Sequence, residues 1–582
     1  MTLRFAPRRR PHLVAMFAAA LLAPSLIAQS PGTGAKPRPQ VGRSVVTTRY
    51  GIVAASQPLA AAAGVEILER GGTAADAAIA ANAVMGLLEP TGNGIGGDLF
   101  ALVYNARTKR VHALNASGWA PSALPAMLRQ RGDTLMPQRG IHSVTVPGVV
   151  AGWDELRLRF GTKSFSELLS PAIRYAEEGA PIAEVTAGNW ANAVPMLSGH
   201  PNSRKLFLID GARAPRAGEP FRNPDLGSSL RRIAARGREG YYSGTTADAI
   251  LAISREQGGT MTAADLSEYR AEWVEPISTT YRGWTVYEIP PNSQGIAALE
   301  MLNIMERFPI TDYGWGSPRA LHTMIEAKKL AYADLLRFVG DPKFARVPVS
   351  QLLDKGQAER RASQIEMTRA NCDVQPSEVA GLTNATGNET IYLTVVDRDG
   401  NIVSLIQSNY SGFGSGLVPP GTGFMLHNRG ALFSLKAGSP NELQPRKRPL
   451  HTIIPAIMTK ADTTIGFGIM GGWNQAQAHA QFVSHVADFG FTIQEALEAG
   501  RFTKSTFGGC DLDIEPLVPI ATRDSLRAIG HVLNVTRSRS GTFGWGQAVM
   551  STGAGVHFGA SEPRHDGAAI PETPAVTPVR PR

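Results

Sequence analysis

Residues 388–408 read NETIYLTVVDRDGNIVSLIQS, and the way this segment folds decides how the rest of the chain is read. TIYLTVV and IVSLI are rich in β-branched residues, which favour strand. Asp399-Gly400 between them is a two-residue turn signal, because glycine tolerates positive φ. A turn centred there makes residue numbers on facing strands sum to about 799. Thr390 then lies opposite Ser408 or Asn409, so two hydroxyls meet at the open end of a hairpin. A plain Thr–Ser cross-strand pair accounts for that meeting. Strand statistics alone favour that plain reading over a reactive site, and the remainder of the sequence has to decide.

The chain has 582 residues, 43% hydrophobic and 18% charged, which fits a globular protein with a sizeable core. Its 61 glycines and 40 prolines imply many turns rather than long helical bundles. Residues 1–28 have a basic start, an apolar run from Leu13 to Ala28 and small residues near the end. This is a signal-peptide layout, cleaved after Ala28 although Leu26 departs from the small-x-small pattern; the alternative reading is an uncleaved membrane anchor. The mature protein is therefore expected outside the cytoplasm, periplasmic or secreted, with no membrane span after leader removal. The formal charge of +9 includes four leader arginines, so 9 − 4 leaves +5 on the mature chain. Its basic residues are scattered and form no stripe with aromatics, which gives no support to nucleic-acid binding. Cys372 and Cys510 are the only cysteines; export permits a disulfide, but two cysteines are neither a scaffold nor a zinc site. No His-Glu-x-x-His occurs, and nothing calls for a metal or a cofactor.

Residues 29–44 are Pro/Gly-rich and polar and read as a flexible lead-in; 571–582 read as a disordered tail. GGTAADAAIAANAVMGLLEP, from Gly71, reads as a buried helix with a Thr or Asp start and a Pro stop. SFSELLSPAIRYAEEG and PRALHTMIEAKKLAYADLLRFVG read as amphipathic helices ending at glycine. HTIIPAIMTK and TTIGFGIM read as strands, and QAQAHAQFVSHVADFG as a later helix. The pattern is a helix-rich first part and a sheet-rich second part, changing near residue 385. GNGIGGDLFALVY contains G-x-G-x-x-G, but helix precedes it and strand follows, the reverse of a dinucleotide site. It reads as a Gly-rich turn into a strand. There is no G-x-S-x-G elbow. His479 and His485, six apart on one helix, do not share a face and read as ordinary histidines. GIMGGWNQAQAHAQ is more suggestive: a strand ends at Gly471-Gly472 and a helix follows, so paired N–H groups near a helix start can hold an oxyanion, although on this segment alone a plain strand-to-helix turn is the favoured reading.

A Thr hydroxyl is a weak nucleophile until a base takes its proton. If the chain is cut between Glu389 and Thr390, the new α-amino group, with a pKa of about 8, lies beside that hydroxyl and can serve as the base. Ser408 then positions the hydroxyl, and Gly471 and Gly472 receive the oxyanion.

With these elements in place, the sequence resembles the γ-glutamyltransferase family of N-terminal-nucleophile hydrolases over about residues 45–570. The resemblance runs through GIGGDLFALVY, TVPGVVAGWDEL, PPNSQGIAALEMLNIME, HTMIEAKKLAYADLLRFVGDP, residues 390–434, RPLHTIIPAI, MGGWNQAQAHAQ and GASEPRHDGAA, in the family's order. It implies an α+β fold, a four-layer αββα sandwich, formed by two chains of one self-cleaved precursor: a large chain, 45–389, and a small catalytic chain, 390–570, beginning with Thr390. Those chains are each other's partners, and the substrate is a small amide.

The sequence departs from the family where the substrate's amino-acid end is held. The arginine that binds the α-carboxylate is Ser117 here; the Asn position is Tyr410; the Asp that binds the α-amino group is Leu432; the Ser-Ser pair is His451-Thr452. An Arg–carboxylate pair is bidentate and not replaced by a serine hydroxyl. Arg429 and Arg448 are the available replacements for the lost positive charge, and Tyr410 is a new donor and aromatic wall. Three readings follow: a γ-glutamyltransferase or glutathione hydrolase with altered contacts, transferring to water or an amino acid; an amidase or acylase for another acyl group, as in the family's cephalosporin-acylase-like branch; or an exported binding protein that kept the fold alone.

Overall fold

The computed structural model describes residues 2, 38–39, 41–374, 390–536 and 541–574. The expected leader apart from Thr2, most of the lead-in, Glu389 and residues 575–582 lie outside the described residues. Two seven-stranded sheets, antiparallel throughout, face each other. In spatial order the first holds Ala568–Pro571, Ile52–Ala55, Ile391–Val396, Ile402–Ser408, Asp98–Asn105, Arg110–Ala116 and Glu272–Val274. The second holds Val46–Thr48, His557–Ser561, Gly546–Ser551, Thr463–Ile469, Ala456–Lys460, Trp284–Glu288 and Ile277–Tyr281. Helices Pro58–Glu69, Ala74–Leu88, Val149–Phe160 and Phe165–Glu178 cover the outer face of the first sheet. Gly295–Met305, Pro318–Phe338 and Gln475–Phe489 cover the second. The result is the expected αββα sandwich.

The hairpin runs through the middle of the first sheet, buried on both faces. Ile391, Leu393 and Val395 pack with the helices, as do Val403 and Leu405 of the return strand. Tyr392, Ile402 and Ile406 face the second sheet, as strand alternation requires. Two glycines on the facing strand make room. A Cβ on Gly468 would come within 2.4 Å of the Tyr392 ring, and one on Gly466 within 2.9 Å of the Thr394 hydroxyl. The Ala-rich helix is capped as its sequence implies, with Thr73 and Asp76 forming a capping box.

Three expectations change. The hairpin turn is not two residues at 399–400. Val396 still pairs with Ile402, and the DRDGN loop is gathered by the Asp397 carboxylate, which accepts from the N–H of Asp399 at 3.1 Å and of Asn401 at 3.0 Å. The pairing runs from Val396↔Ile402 to Ile391↔Gln407, which leaves Thr390 opposite Ser408, one of the two positions expected. The helix-rich first part also supplies seven of the fourteen sheet strands, those ending at Glu288 or earlier. Asp98–Asn105 is the strand expected after the Gly-rich turn, whereas Val46–Thr48, Ile52–Ala55 and Glu272–Val274 are only three or four residues long, and local pattern undercounts such strands. The segments read as lead-in and tail hold to the body where they are described. Glu498 accepts from the backbone N–H of Gly42 and Arg43 at 2.6 and 3.0 Å. Pro571 is in a strand, and buried Glu572 accepts from Gly51 N–H at 2.9 Å. Their partners lie hundreds of residues away, beyond the reach of composition.

Candidate active site

Thr390 caps the open end of the hairpin. Its parity with Tyr392 and Thr394 turns its side chain toward the second sheet, and Ser408 shares that parity with Ile406 and Ser404. Thr390 Oγ1 donates to Ser408 Oγ at 3.1 Å, and Tyr410 N–H donates to the same oxygen at 2.7 Å. Both hydroxyl residues are buried. Facing positions across the sheets step together, 394 over 466 and 392 over 468. Two residues further along these strands come Thr390 on one sheet and, on the other, Met470, which precedes Gly471-Gly472.

Gly471 and Gly472 have φ of +126° and +58°, values that burden any residue with a Cβ. A single 3₁₀ turn, Gly472–Asn474, leads into the helix Gln475–Phe489. Among the described residues neither glycine N–H finds an acceptor. The loop is held from behind: Gln294 Nε2 donates to Gly472 O at 2.8 Å and also to Thr452 O, and Tyr332 OH donates to Trp473 O. His479 accepts from Ile469 N–H at 3.1 Å and fixes the helix to the strand end. Burial pushes its imidazole down to about 3, so it is an uncharged brace.

The positions of the expected acyl-end clamp form a second cluster beside the first, joined to it through Asp98, which pairs with Ser408 in the sheet. Asp98 is fully buried. Arg429 Nε and Nη2 donate to its two oxygens at 3.0 and 3.3 Å, and His451 Nε2 donates at 2.7 Å. Burial alone would raise this carboxyl, but Arg429, His451 and His427 together hold it well below the ordinary carboxylate range. The third Arg429 nitrogen, Nη1, donates to Thr452 Oγ1 at 2.8 Å. Burial first, and Arg429 second, push His451 down to about 4, so it is neutral near pH 7. Ser117 Oγ accepts from Asn292 Nδ2 at 3.3 Å, and Asn292 in turn donates to Pro449 O at 2.6 Å. Leu432 is buried in the apolar core of the second sheet. Arg448 is not available either: its Nε donates to Ser117 O at 2.9 Å and its guanidinium pairs with Glu272 at 3.2 Å.

Sequence reasoning missed Asp98, Gln294 and Asn474. Asp98 and Gln294 sit inside stretches already singled out, GIGGDLFALVY and PPNSQG, but nothing local marks them as the links between segments. Asn474 is buried, and neither of its amide atoms has a partner among the described residues. One group among the described residues has donors close enough for a metal: His322, Glu326 and His531, within 4.8 Å of one another. His322 Nδ1 meets His531 Nε2 at 2.8 Å and Lys329 Nζ donates to Glu326 at 2.6 Å, while His531 Nδ1 has no partner among the described residues.

Two facing antiparallel sheets between helical layers, with a Thr hydroxyl at the start of a central strand, define the N-terminal-nucleophile hydrolase class. Residues 60–572 match the family model described as Gamma-glutamyltranspeptidase. The chain belongs to that family and is an enzyme of it. It is 35% identical to the glutathione hydrolase-like YwrD proenzyme of Bacillus subtilis, over 91% of this chain and 100% of that one. It is 31% identical to the glutathione hydrolase proenzyme of Escherichia coli, over 89% and 91%. Among solved structures, cephalosporin acylase from Bacillus halodurans superposes with a TM-score of 0.84 at 41% identity, covering 94% of this chain and 99% of that one.

Proposed function

We propose that this protein is a self-processing amidase in which Thr390 is the nucleophile, cut from Glu389 to divide the precursor into chains 45–389 and 390–570. Cleavage frees the Thr390 α-amino group, whose pKa of about 8 leaves a neutral fraction at pH 7. That amine takes the Oγ proton as Oγ attacks the amide carbonyl. The tetrahedral oxyanion is received by the N–H groups of Gly471 and Gly472, donors worth roughly 3–4 kcal/mol each in comparable sites. Collapse breaks the C–N bond and the leaving amine takes the proton from the α-ammonium, leaving an ester on Thr390. Water repeats the sequence, releasing the acid; an amino acid in its place yields a transferred amide.

The observation that carries this reading is the buried Thr390–Ser408 hydroxyl pair at 3.1 Å, with Ser408 itself fixed by Tyr410 N–H. The proenzyme names of the relatives support processing. The apolar leader supports export, and no helix among the described residues is long and apolar enough to cross a membrane. A γ-glutamyl amide such as glutathione is the substrate the family name suggests. An acylase for another acyl group is favoured by one observation: the clamp positions carry no free charge.

Intact mass and N-terminal sequencing of the purified protein test the proposal. A fragment starting Thr-Ile-Tyr-Leu is expected; one uncut chain after days at neutral pH would refute the assignment. Cys372 and Cys510 are bonded and lie on opposite sides of the proposed cut. The processed protein is therefore expected to run as one species without reductant and as two with it. Two species in both conditions would show that the disulfide does not join the chains.

A further inference from the structure

Tyr410 is built into the site at some cost, and its side chain is not used by the chemistry above. It is a bulky residue at φ +75°, in the left-handed region that such side chains avoid. Its N–H holds Ser408, so its backbone is two hydrogen bonds from the Thr390 hydroxyl. Its ring lies 4.7 Å from the guanidinium carbon of Arg429. It is only 2% exposed, yet its hydroxyl has no hydrogen-bond partner among the described residues. A buried phenol is normally paired, and one left over beside a reactive hydroxyl points to a ligand atom.

The charges around it restrict what that atom is. The positive charge of Arg429 is matched by Asp98, and His451 donates to the same carboxylate. Thr452 takes the remaining nitrogen, and Ser117 is occupied by Asn292. The cluster is electrically closed. An ammonium brought here meets Arg429 first, and a carboxylate meets Arg429 backed by Asp98. Neither finds an opposite charge that is not already paired within the cluster. A neutral acceptor needs only a neutral donor, and burial holds the Tyr410 hydroxyl protonated by pushing it up to about 12.

We infer that the acyl group accepted by this enzyme is uncharged at its far end and presents a carbonyl or amide oxygen to the Tyr410 hydroxyl. The inference rests on Thr390 being the nucleophile. Tyr410 is then a specificity-determining residue, standing on the Arg429–Asp98 pair that replaces the substrate's own charges with an internal pair.

Three p-nitroanilides of one chain length separate the possibilities: 4-carbamoylbutyryl (uncharged), glutaryl (anionic) and γ-glutamyl (zwitterionic). With the processed wild type, kcat/KM is expected to fall in that order, by at least about tenfold from first to last. Tyr410→Phe should raise KM for the 4-carbamoylbutyryl substrate about tenfold, the effect of one neutral hydrogen bond, with kcat little changed and no effect on the γ-glutamyl substrate. A γ-glutamyl preference in the wild type, refusal of all three anilides by processed enzyme, or an unmoved KM in Tyr410→Phe would overturn the inference. None of these touches the nucleophile assignment, which falls separately if no fragment begins at Thr390.

Discussion

The nucleophile region and the acyl-end region lie side by side, and they are built from different materials. Around Thr390 the parts are mostly backbone: a strand end, a hairpin register, two glycine N–H groups at a helix start. Around Asp98 they are side chains: a carboxylate, a guanidinium, an imidazole and a phenol, paired among themselves. Backbone geometry is set by the whole sandwich and tolerates little change without loss of the fold. Side chains at a pocket end are replaced more freely, provided each buried charge gains a partner. On the proposed assignment, this is how one chain keeps its reacting groups while changing every position expected to bind the substrate's charges.

That comparison is tested most severely at Thr390. Thr390→Ala should abolish both self-cleavage and amide hydrolysis while leaving the thermal transition in place, since it removes one hydroxyl from a paired site. Turnover persisting in this variant would mean that the backbone-built region is not the reactive one. Asp98→Asn should be the largest stability change, about 3–5 kcal/mol, because it strands the buried Arg429 charge. Denaturant unfolding measures it. A loss below about 1 kcal/mol would show that the side-chain cluster is solvated and open to charged ligands. Gly468→Ala sharpens the backbone side: the added methyl meets the Tyr392 ring, which should cost about 1–3 kcal/mol through separation of the sheets. Little change would mean that sheet spacing is not what sets the Thr390 loop.

A further effect is graded with pH. His451 and His485 are pushed down to about 4, and His479 and His531 to about 3, burial being the largest cause for each. Their unfolded values are near 6.5, so the unfolded chain binds more protons between the two. The stability they contribute is complete above about pH 6.5 and is lost as pH falls toward 4. The slope is about 1.4 kcal/mol per pH unit for each fully titrating group. Melting temperature measured from pH 7.5 to 4.5 should fall across this window, and His451→Gln should reduce the slope. A flat profile would show these histidines to be accessible to solvent.

Much of the nucleophile region could be read along the chain. β-branching marked both hairpin strands, and the Asp-Gly pair marked the turn to within one residue. The glycine pair before an Ala-rich stretch marked the strand-to-helix junction. Each is a local preference of the backbone, and local preferences are written in neighbouring residues. The exact register was not, because Asp397 gathers a five-residue loop through its side chain.

The acyl-end region could be read only as a set of losses. Sequence showed that Ser117, Tyr410, Leu432, His451 and Thr452 stand where other chemistry was expected, and it offered Arg429 and Arg448 as replacements without deciding between them. Tertiary structure commits both elsewhere: Arg429 to Asp98, 331 residues away, and Arg448 to Ser117 and Glu272. It likewise paired Cys372 with Cys510 across 138 residues. A charge buried in the interior takes the partner that the fold brings within about 3 Å, and that distance is set by the packing of two sheets, not by the order of residues along either one.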